Sequence, residues 1–253
     1  MPEIISCSQT LIISSMTLRS FPSLASLSAT AAQELARLAK ESIAKRGRFT
    51  LALSGGKTPR ALYEILAKDY STVIDWSQVH LFWGDERNVP HSDLESNYRM
   101  VKESLLDRIE IPLENVHAVP ILMEDTAATV ATRYAAVIQK MFGQGIPEFD
   151  LILLGLGNDG HTASLFPGMS EHEMNNGVVI ATHSPIPPLE RVSLTLFVIN
   201  NVRNVFFLVA GEGKKEILKA VLTDAGNADS KYPAARVSPR SELVWFVDET
   251  AMS

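Results

Sequence analysis

A glycine-rich segment with one histidine carries the side chains best suited to chemistry. It reads Gly155-Leu156-Gly157-Asn158-Asp159-Gly160-His161-Thr162 and follows a strongly apolar stretch. Free histidine titrates near neutrality, so a neutral imidazole at His161 is available to take a proton from water. A helix that begins close to His161 would help to keep the ring neutral. Asp159 would fix the tautomer or contact a substrate, and Asn158 with the loop N–H groups would polarise a carbonyl.

The same segment contains the pattern Gly-x-Gly-x-x-Gly, which also occurs in dinucleotide-binding sites. Such a site requires an acidic residue about 20 positions further on, at the end of the next strand. The next apolar stretch, 178–181, is followed by Thr182 and His183 instead. This difference argues against a dinucleotide ligand.

Two other turns have the composition of anion sites. The turn Ser54-Gly55-Gly56-Lys57-Thr58-Pro59 has paired glycines whose N–H groups can face a phosphate at the start of a helix. The turn Gly84-Asp85-Glu86-Arg87 presents an arginine, a side chain that binds phosphate or carboxylate through two N–H groups. Further along, Arg191 and Lys214 would each deliver a cation to an anionic ligand.

Each of these groups also has a plain structural interpretation. His161 would then cap a helix or pack in the core. The glycine turn would simply connect a strand to a helix, and the charged turn, Arg191 and Lys214 would lie on a solvated surface.

The elements around these turns alternate in type, as in βαβ units. Predicted strands lie at 49–53, 79–83, 116–119, 149–154, 178–181, 192–196, 205–209 and 243–247. Predicted helices lie at 28–47 with Ser28 as N-cap, from Thr58-Pro59 onward, and at 96–106, 126–142 and 212–222. We predict one α/β domain over 1–253, with a Rossmann-like open, largely parallel sheet flanked by helices and residues 1–10 as a loose N-terminal extension. Ligands bind at the carboxyl ends of such strands, where the turns above fall.

Bulk composition excludes several classes of protein. The chain has 253 residues and a formal net charge of -6, which argues against a general nucleic-acid binder. No apolar run is long enough to span a bilayer. Cys7 is the one cysteine, so there is no intrachain disulfide, which suits a reducing compartment. We therefore expect a cytoplasmic protein.

Other hydrolytic chemistries are not supported by the motifs. The six histidines are scattered, without His-Glu-x-x-His or other metal-ligand spacing. The serine nucleophile motif Gly-x-Ser-x-Gly is also absent. What remains is a base, a loop that would stabilise an oxyanion, and turns that bind anions. These groups suit water attack on an activated ester or proton transfer on a phosphosugar.

Three segments resemble the signatures of the 6-phosphogluconolactonase family. They are 53–59, 83–90 with Ser96-Asn97, and 155–167. The resemblance continues through 191–195, Gly211 with Lys214, and 245–248, and covers nearly the whole chain after about residue 20. Lys57, where serine or alanine is common in the family, is a mild departure.

The resemblance implies the phosphosugar isomerase/lactonase fold and hydrolysis of 6-phospho-D-glucono-1,5-lactone to 6-phosphogluconate, in the oxidative pentose phosphate pathway. The enzyme would be a carboxylic ester hydrolase without metal or cofactor. Its partner would be the small phosphosugar lactone, with no nucleic acid or membrane, and it would be a monomer or weak homo-oligomer. The general base would be His161, and the phosphate site would use Ser54, Gly55, Gly56, Arg87, Arg191 and Lys214.

Two relatives with the same fold are the alternatives. Glucosamine-6-phosphate deaminases continue the histidine loop toward Asn-Glu-Pro, whereas this chain continues Ala163-Ser164-Leu165-Phe166-Pro167. Phosphosugar-sensing domains of transcription regulators carry a helix-turn-helix segment, and the residues before Ser28 are too few and too weakly basic for one.

Overall fold

Strands and helices alternate along residues 9–13 and 16–252, the part of the chain that the computed structural model describes. The strands are β1 (Gln9–Ile13), β2 (Met16–Phe21), β3 (Phe49–Leu53), β4 (Val79–Trp83), β5 (Asp85–Arg87), β6 (Leu151–Leu154), β7 (Val179–His183), β8 (Glu190–Leu194), β9 (Asn204–Val209) and β10 (Glu242–Asp248). The α-helices are α1 (Leu24–Arg46), α2 (Lys57–Asp69), α3 (Asn97–Ser104), α4 (Ala127–Phe142), α5 (Glu171–Asn175), α6 (Leu196–Asn200), α7 (Lys215–Thr223) and α8 (Glu249–Met252). Short 3-10 helices lie at Trp76–Gln78, Leu106–Arg108, Leu113–Asn115, Glu212–Lys214 and Pro233–Arg236.

The main sheet has the strand order β1-β2-β10-β9-β6-β3-β4. From β2 to β4 all neighbours are parallel, and β1 pairs antiparallel with β2. β3 and β6 consist entirely of buried residues, as expected for parallel strands covered on both faces. The predicted α/β fold with an open, largely parallel sheet is confirmed.

The connections diverge between β3 and β6, which are neighbours in the sheet. From β3 the chain passes through α2 to β4 on one side, whereas from β6 it continues to β9 on the other. In open α/β sheets such a switch in direction leaves a crevice at the carboxyl ends of the two strands. The turns that follow β3 and β6 meet at this crevice.

A second, three-stranded antiparallel sheet has the order β5-β8-β7. We predicted β7 and β8 as strands of the main sheet and the segment around 85–87 as a turn, and both expectations were wrong. The charged β5 forms a strand because β8 pairs with it, and such a distant partner leaves no local signal. The predicted strand at 116–119 is reduced to a single bridge between Val116 and Leu81.

Two helix starts differ from the prediction. The N-cap of α1 is Ser23, which forms a capping box with Ser26, whereas Ser28 is fully buried inside the helix. The N-cap of α2 is Gly56, with a φ of 106°, rather than Thr58. A glycine adopts this backbone conformation without strain, so the helix begins at once after the turn.

Two buried tyrosines hold the strands at the edge of the crevice. The Tyr63 hydroxyl accepts the Ser54 N–H at 3.0 Å and donates to the Ser54 carbonyl at 2.8 Å. The Tyr134 hydroxyl does the same for Trp83, at 2.7 and 3.1 Å. These bonds satisfy buried backbone groups at the points where β3 and β4 end.

Cys7 and residues 1–8 of the predicted N-terminal extension lie outside the described residues, and Gln9 and Thr10 belong to β1. Within the described ranges, no helix combines the length and the apolar character needed to cross a membrane.

Candidate active site

A cavity of about 620 Å³ opens at the carboxyl ends of the central strands. All of the residues that we predicted for the site lie in its wall: Ser54, Gly55, Gly56, Arg87, Asn158, Asp159, His161, Arg191 and Lys214. The turns after β3 and β6 and the strands β5 and β8 supply most of them. The fold therefore brings the candidate residues together, while the role of each remains a prediction.

His161 and Asp159 form a hydrogen-bonded pair in this wall. His161 Nδ1 lies 2.6 Å from Asp159 Oδ1, and the same oxygen accepts the His161 backbone N–H at 3.1 Å. Burial acts to raise the pKa of Asp159, but the backbone N–H and the charge of the imidazole outweigh it and lower the pKa overall. An ionised Asp159 accepts from Nδ1–H, so the lone pair for proton transfer is on Nε2.

Two glycines give this loop its shape. A Cβ on Gly157 would lie 2.1 Å from His161 Nδ1, so the imidazole packs directly on the backbone there. Gly160 has a φ of +87°, and a Cβ on it would lie 2.4 Å from Tyr232 Cδ1. The turn is closed by bonds from Gly157 N to the His161 carbonyl at 2.9 Å and from Gly160 N to the Gly157 carbonyl at 3.1 Å.

The helix that we expected close to His161 is absent from the described residues there, so this part of the prediction was wrong. Residues 162–165 form a turn instead, closed by Leu165 N and the Thr162 carbonyl at 3.0 Å, with Ala163 at a φ of 48°. The next helix, α5, begins only at Glu171. The charged group in contact with the imidazole is the carboxylate of Asp159, and it is not a helix N-terminus.

Arg87 and Arg191 are direct cross-strand partners in β5 and β8. Burial, and then the positive charge of Arg87, lower the pKa of Arg191, whose Nε donates to the Pro188 carbonyl at 2.7 Å. Arg87 donates to the Glu95 carbonyl at 2.5 Å, and its buried Nε has no partner among the described residues. Like charges directly opposite each other are unfavourable, and Glu95 Oε2, 3.6 Å from Arg87 NH1, offsets part of the repulsion. The pair is thus a candidate anion site on the second sheet.

The turn after β3 adds backbone donors to this site. The N-cap Gly56 has no side chain to accept from the first N–H groups of α2, which also lack intrahelical partners. A Cβ on Gly55 would lie 1.9 Å from Asn97 Oδ1, so this position requires glycine. The uncapped start of α2 can bind a phosphate through these N–H groups.

Lys214 contacts the histidine loop from the segment after β9. Its Nζ donates to the Leu156 carbonyl at 2.7 Å and to Asn158 Oδ1 at 2.6 Å. Burial lowers the pKa of Lys214, and the charge of Asp159 partly offsets this. Lys214 thus lies against the loop that carries His161, and not only in the general wall of the cavity.

A buried network lies beside Arg87, and it contains Asp85 and Glu86, for which the sequence suggested that they orient Arg87 or bind sugar hydroxyls. Ser164 Oγ donates to Asp85 Oδ2 at 2.7 Å, and Asn97 Nδ2 donates to the Asp85 carbonyl at 2.9 Å. The Glu86 carboxylate accepts the N–H groups of Asn97 and Tyr98 at 2.7 Å, and burial raises its pKa to about 7. Asp85, Glu86, Asn97 and Ser164 all lie within the segments that carry the family resemblance, and this was the available signal.

Sequence reasoning assigned no site role to Phe166 and the β7–β8 loop. The Phe166 ring packs on His161 with centroids 4.9 Å apart, and residues Ser184, Pro185 and Ile186 complete the wall. Apolar loop residues carry no chemical signal in a sequence, so only the fold reveals them. The described residues contain no group of three or more His, Cys, Asp or Glu side chains arranged to hold a metal ion. The metal-free expectation stays a prediction.

Comparisons with known proteins agree with this geometry. The family described as "Glucosamine-6-phosphate isomerases/6-phosphogluconolactonase" matches residues 22–245. A 6-phosphogluconolactonase of Synechocystis sp. is 41% identical over 215 residues, which cover 83% of this chain and 86% of the relative. The structure of 6-phosphogluconolactonase from Trypanosoma cruzi has a TM-score of 0.83 at 28% identity, over 96% of this chain and 97% of that one. A monomeric glucosamine-6-phosphate deaminase has a TM-score of 0.78 over 92% and 98% of the two chains, and its 19% identity shows the fold alone.

Proposed function

The chain belongs to the glucosamine-6-phosphate isomerase/6-phosphogluconolactonase family, and on that premise we propose that it hydrolyses 6-phospho-D-glucono-1,5-lactone to 6-phosphogluconate. This is the lactonase step of the oxidative pentose phosphate pathway. One observation carries the proposal: a His161–Asp159 pair and a pair of arginines, Arg87 and Arg191, line the same cavity. The His161–Asp159 pair suits water activation, and the arginine pair suits phosphate binding.

The phosphate docks first. Its oxygens accept from the guanidinium groups of Arg87 and Arg191, from the Ser54 hydroxyl, and from the backbone N–H groups of Gly55 and Gly56 before α2. The anion removes the repulsion between the two arginines, so the free protein holds charges that the substrate neutralises. Binding in this way places the lactone ring toward the histidine loop.

Water attack follows at the lactone carbonyl carbon, C1. His161 Nε2 takes one proton from the water as its oxygen bonds to C1, and Asp159 stabilises the imidazolium that results. The C1–ring oxygen bond then breaks, and the ring oxygen takes the proton back from His161. The products are the open-chain acid, which ionises, and the neutral histidine.

Asn158 and Lys214 are placed to meet the negative charge on the carbonyl oxygen. Asn158 Oδ1 already accepts from Lys214, so the amide Nδ2 is the group left to donate. Preformed donors of this kind stabilise the oxyanion without reorganising during the reaction.

A side-by-side assay tests the function. One arm follows acid release from freshly made 6-phosphogluconolactone above its spontaneous hydrolysis, and the other follows ammonia release from glucosamine 6-phosphate. We expect acid release that depends on the protein, and no ammonia. Ammonia release without lactone turnover would assign the chain to the deaminases of its family.

The proposal includes a cytoplasmic location, a reaction without metal or cofactor, and a monomer or weak homo-oligomer. The single cysteine supports the first point, since proteins of reducing compartments rarely need disulfides. Cell fractionation, activity after treatment with a chelator, and light scattering of the eluted protein test the three points in turn.

A further inference from the structure

A second cavity, of about 630 Å³, lies beside the 3-10 helix Pro233–Arg236. We call it the Arg236 cavity. Its wall comes from α5, α6 and that helix, and it contains Glu171, Asn175, Phe197, Asn200 and Arg236. None of the residues of the proposed lactonase mechanism belongs to this wall.

The guanidinium of Arg236 is buried with few acceptors. Only 9% of the side chain is exposed, and its buried Nε has no partner among the described residues. Burial lowers the pKa of Arg236. A guanidinium has five N–H donors, and leaving them unsatisfied away from water is costly. The site therefore has more donors than the protein itself satisfies.

Among the described residues, the guanidinium of Arg236 has the exposed carboxylate of Glu171 and, at 3.9 Å from NH1, the sulfur of Met174 as acceptors. Glu171 pairs with Arg236 NH2, but 70% of the Glu171 side chain is exposed. Glu171 Oε1 also accepts from Asn175 Nδ2 at 2.5 Å, so two partners hold the carboxylate. Because the Glu171 side chain is exposed, water can hydrate the carboxylate when a ligand displaces it from Arg236. Glu171 thus occupies the position that the carboxylate or phosphate of a ligand would take.

The rest of the wall suits a small organic anion. Phe197 is 48% exposed, so its ring offers an apolar surface beside the polar groups of the cavity. Asn200 Nδ2 donates to the Arg236 carbonyl at 3.1 Å, which holds the backbone of the arginine in place. An apolar surface beside a fixed cation binds the carbon skeleton and the oxyanion of one ligand at the same time.

The segment that carries Arg236 also contacts the histidine loop. Ala234 N donates to the Gly160 carbonyl at 3.1 Å, and Tyr232 packs on the Cα of Gly160. Gly160 directly precedes His161. A shift of the Pro233–Arg236 helix is therefore transmitted to the histidine through one hydrogen bond and one packing contact.

We propose that the Arg236 cavity is a second oxyanion site, for a phosphate ester or a carboxylate, and that its occupancy changes the position of the loop carrying His161. Binding replaces Glu171 as the partner of Arg236. The effect appears in kcat rather than in KM, because the segment contacts the histidine loop and not the Arg87–Arg191 pair.

Calorimetric titration of the full chain tests the binding site, with inorganic phosphate and, separately, D-gluconate as probes. We expect wild type to bind two phosphate ions per chain. Arg87→Gln should lose the ion at the Arg87–Arg191 pair, and Arg236→Gln should lose the ion in the Arg236 cavity. Glu171→Gln should tighten the second site several-fold, since it removes the competing carboxylate. D-gluconate binding that Arg236→Gln abolishes would identify a carboxylate site, and phosphate binding alone would identify a phosphate site.

Two outcomes would overturn the site. One is a single phosphate per chain that Arg87→Gln removes and Arg236→Gln leaves unchanged. The other is a second phosphate whose affinity is the same in wild type, Arg236→Gln and Glu171→Gln. Glu171 is exposed, so Glu171→Gln remains informative even if Arg236→Gln does not fold. These titrations need no lactone, so they stand or fall separately from the lactonase assay.

The coupling rests on the proposed function and has its own test. At saturating lactone, phosphate cannot occupy the active site, so a change in kcat reports the second site. We expect a saturable change in wild type that is absent in Arg236→Gln. A kcat that phosphate leaves unchanged at saturating lactone would overturn the coupling while leaving the binding site in place.

Discussion

Asp159 Oδ1 lies 2.6 Å from the imidazole Nδ1 of His161 and 3.1 Å from the backbone nitrogen of the same residue. One carboxylate oxygen thus holds both the ring and the main chain of the histidine. The ring cannot turn about its Cα–Cβ bond without losing the shorter bond. In the proposed mechanism, Asp159 is accordingly a positioning and charge-stabilising residue, and His161 is the group that exchanges the proton.

Replacing His161 with alanine removes the base. General-base catalysis contributes about 10²–10⁴-fold, so kcat of His161→Ala should fall by roughly that factor with KM little changed. Initial rates at several lactone concentrations, corrected for spontaneous hydrolysis, measure this. His183→Ala is the control, because that histidine is 64% exposed and pairs with Glu190. Equal kcat values in the two variants would remove His161 from its role.

Asp159→Asn tests the positioning role. An asparagine would offer an amide N–H to Nδ1 and favour the tautomer that protonates Nε2, which cannot accept a proton. We expect kcat to fall by about 10²-fold or more, toward the value of His161→Ala. The double variant should be no slower than His161→Ala alone, because both changes act on one proton transfer.

The same variant predicts a pH dependence of stability. The pKa of Asp159 is lowered from its ordinary value of 3.8, so the carboxylate stabilises the folded protein above that value. The contribution is lost as the pH falls through the lowered folded pKa. The difference in Tm between wild type and Asp159→Asn should be constant near neutrality and should disappear below about pH 4. A difference that grows in acid would contradict the shift.

Arg191→Gln should weaken substrate binding. Hydrogen bonds to charged groups contribute about 1.5–3 kcal/mol, which corresponds to a rise in KM of about 10- to 100-fold. The kcat value should change much less, because the phosphate is remote from the broken bond. The control is Arg203→Gln, because Arg203 directly precedes β9 and pairs with Glu148. Steady-state kinetics of the two variants separate loss of phosphate binding from loss of positive charge.

Gly160→Ala tests the loop shape. Gly160 and Gly168 have similar φ values of +87° and +90°, but a Cβ meets Tyr232 at 2.4 Å only at Gly160 and open space at Gly168. Both alanine variants carry the backbone strain of about 1–3 kcal/mol. Only Gly160→Ala should also lower kcat, because it displaces the residue before His161. Thermal unfolding and kcat of the two variants distinguish strain from displacement.

Tyr63→Phe and Tyr134→Phe form a matched pair. Each leaves one backbone N–H and one carbonyl without their buried partner, at a cost of about 1–3 kcal/mol in unfolding free energy. Tyr63 holds Ser54 in the phosphate turn, whereas Tyr134 holds Trp83 at the end of β4. We therefore expect both to lower Tm and only Tyr63→Phe to raise KM for the lactone. A KM increase of the same size in both would assign the effect to general loosening.

Sequence patterns identified the parts of the fold that are encoded locally. The run at Leu151–Leu154 is apolar throughout, and the run at Phe49–Leu53 is apolar except for Thr50. Such runs predict buried parallel strands. The turns that follow them must then meet at one edge of the sheet, which is why the candidate site residues could be chosen before the structure was known.

The missed features depend on partners that are distant in sequence. Asp85–Arg87 is charged, and it becomes a strand only because Glu190–Leu194 pairs with it. Serine is a common N-cap residue, which is why the pattern favoured Ser28, but the helix extends back through Leu27 and Leu24 to Ser23. The contact of Tyr232 with Gly160 joins residues far apart in the chain, and no pattern in either segment predicts it.

In the proposed function, the two sheets contribute different parts of the active site. The arginine pair belongs to the small sheet, and His161 follows a strand of the large one. Ser164 joins them, since its hydroxyl donates to Asp85 at 2.7 Å and its N–H to Ser193 Oγ at 3.2 Å. In the proposed complex, the separation of the two sheets fixes the distance between the phosphate site and the position of the lactone carbonyl. In that complex, a lactone phosphate shorter by one carbon would bind the arginines while its carbonyl did not reach His161, so we expect turnover to depend on the length of the substrate as well as on its charge.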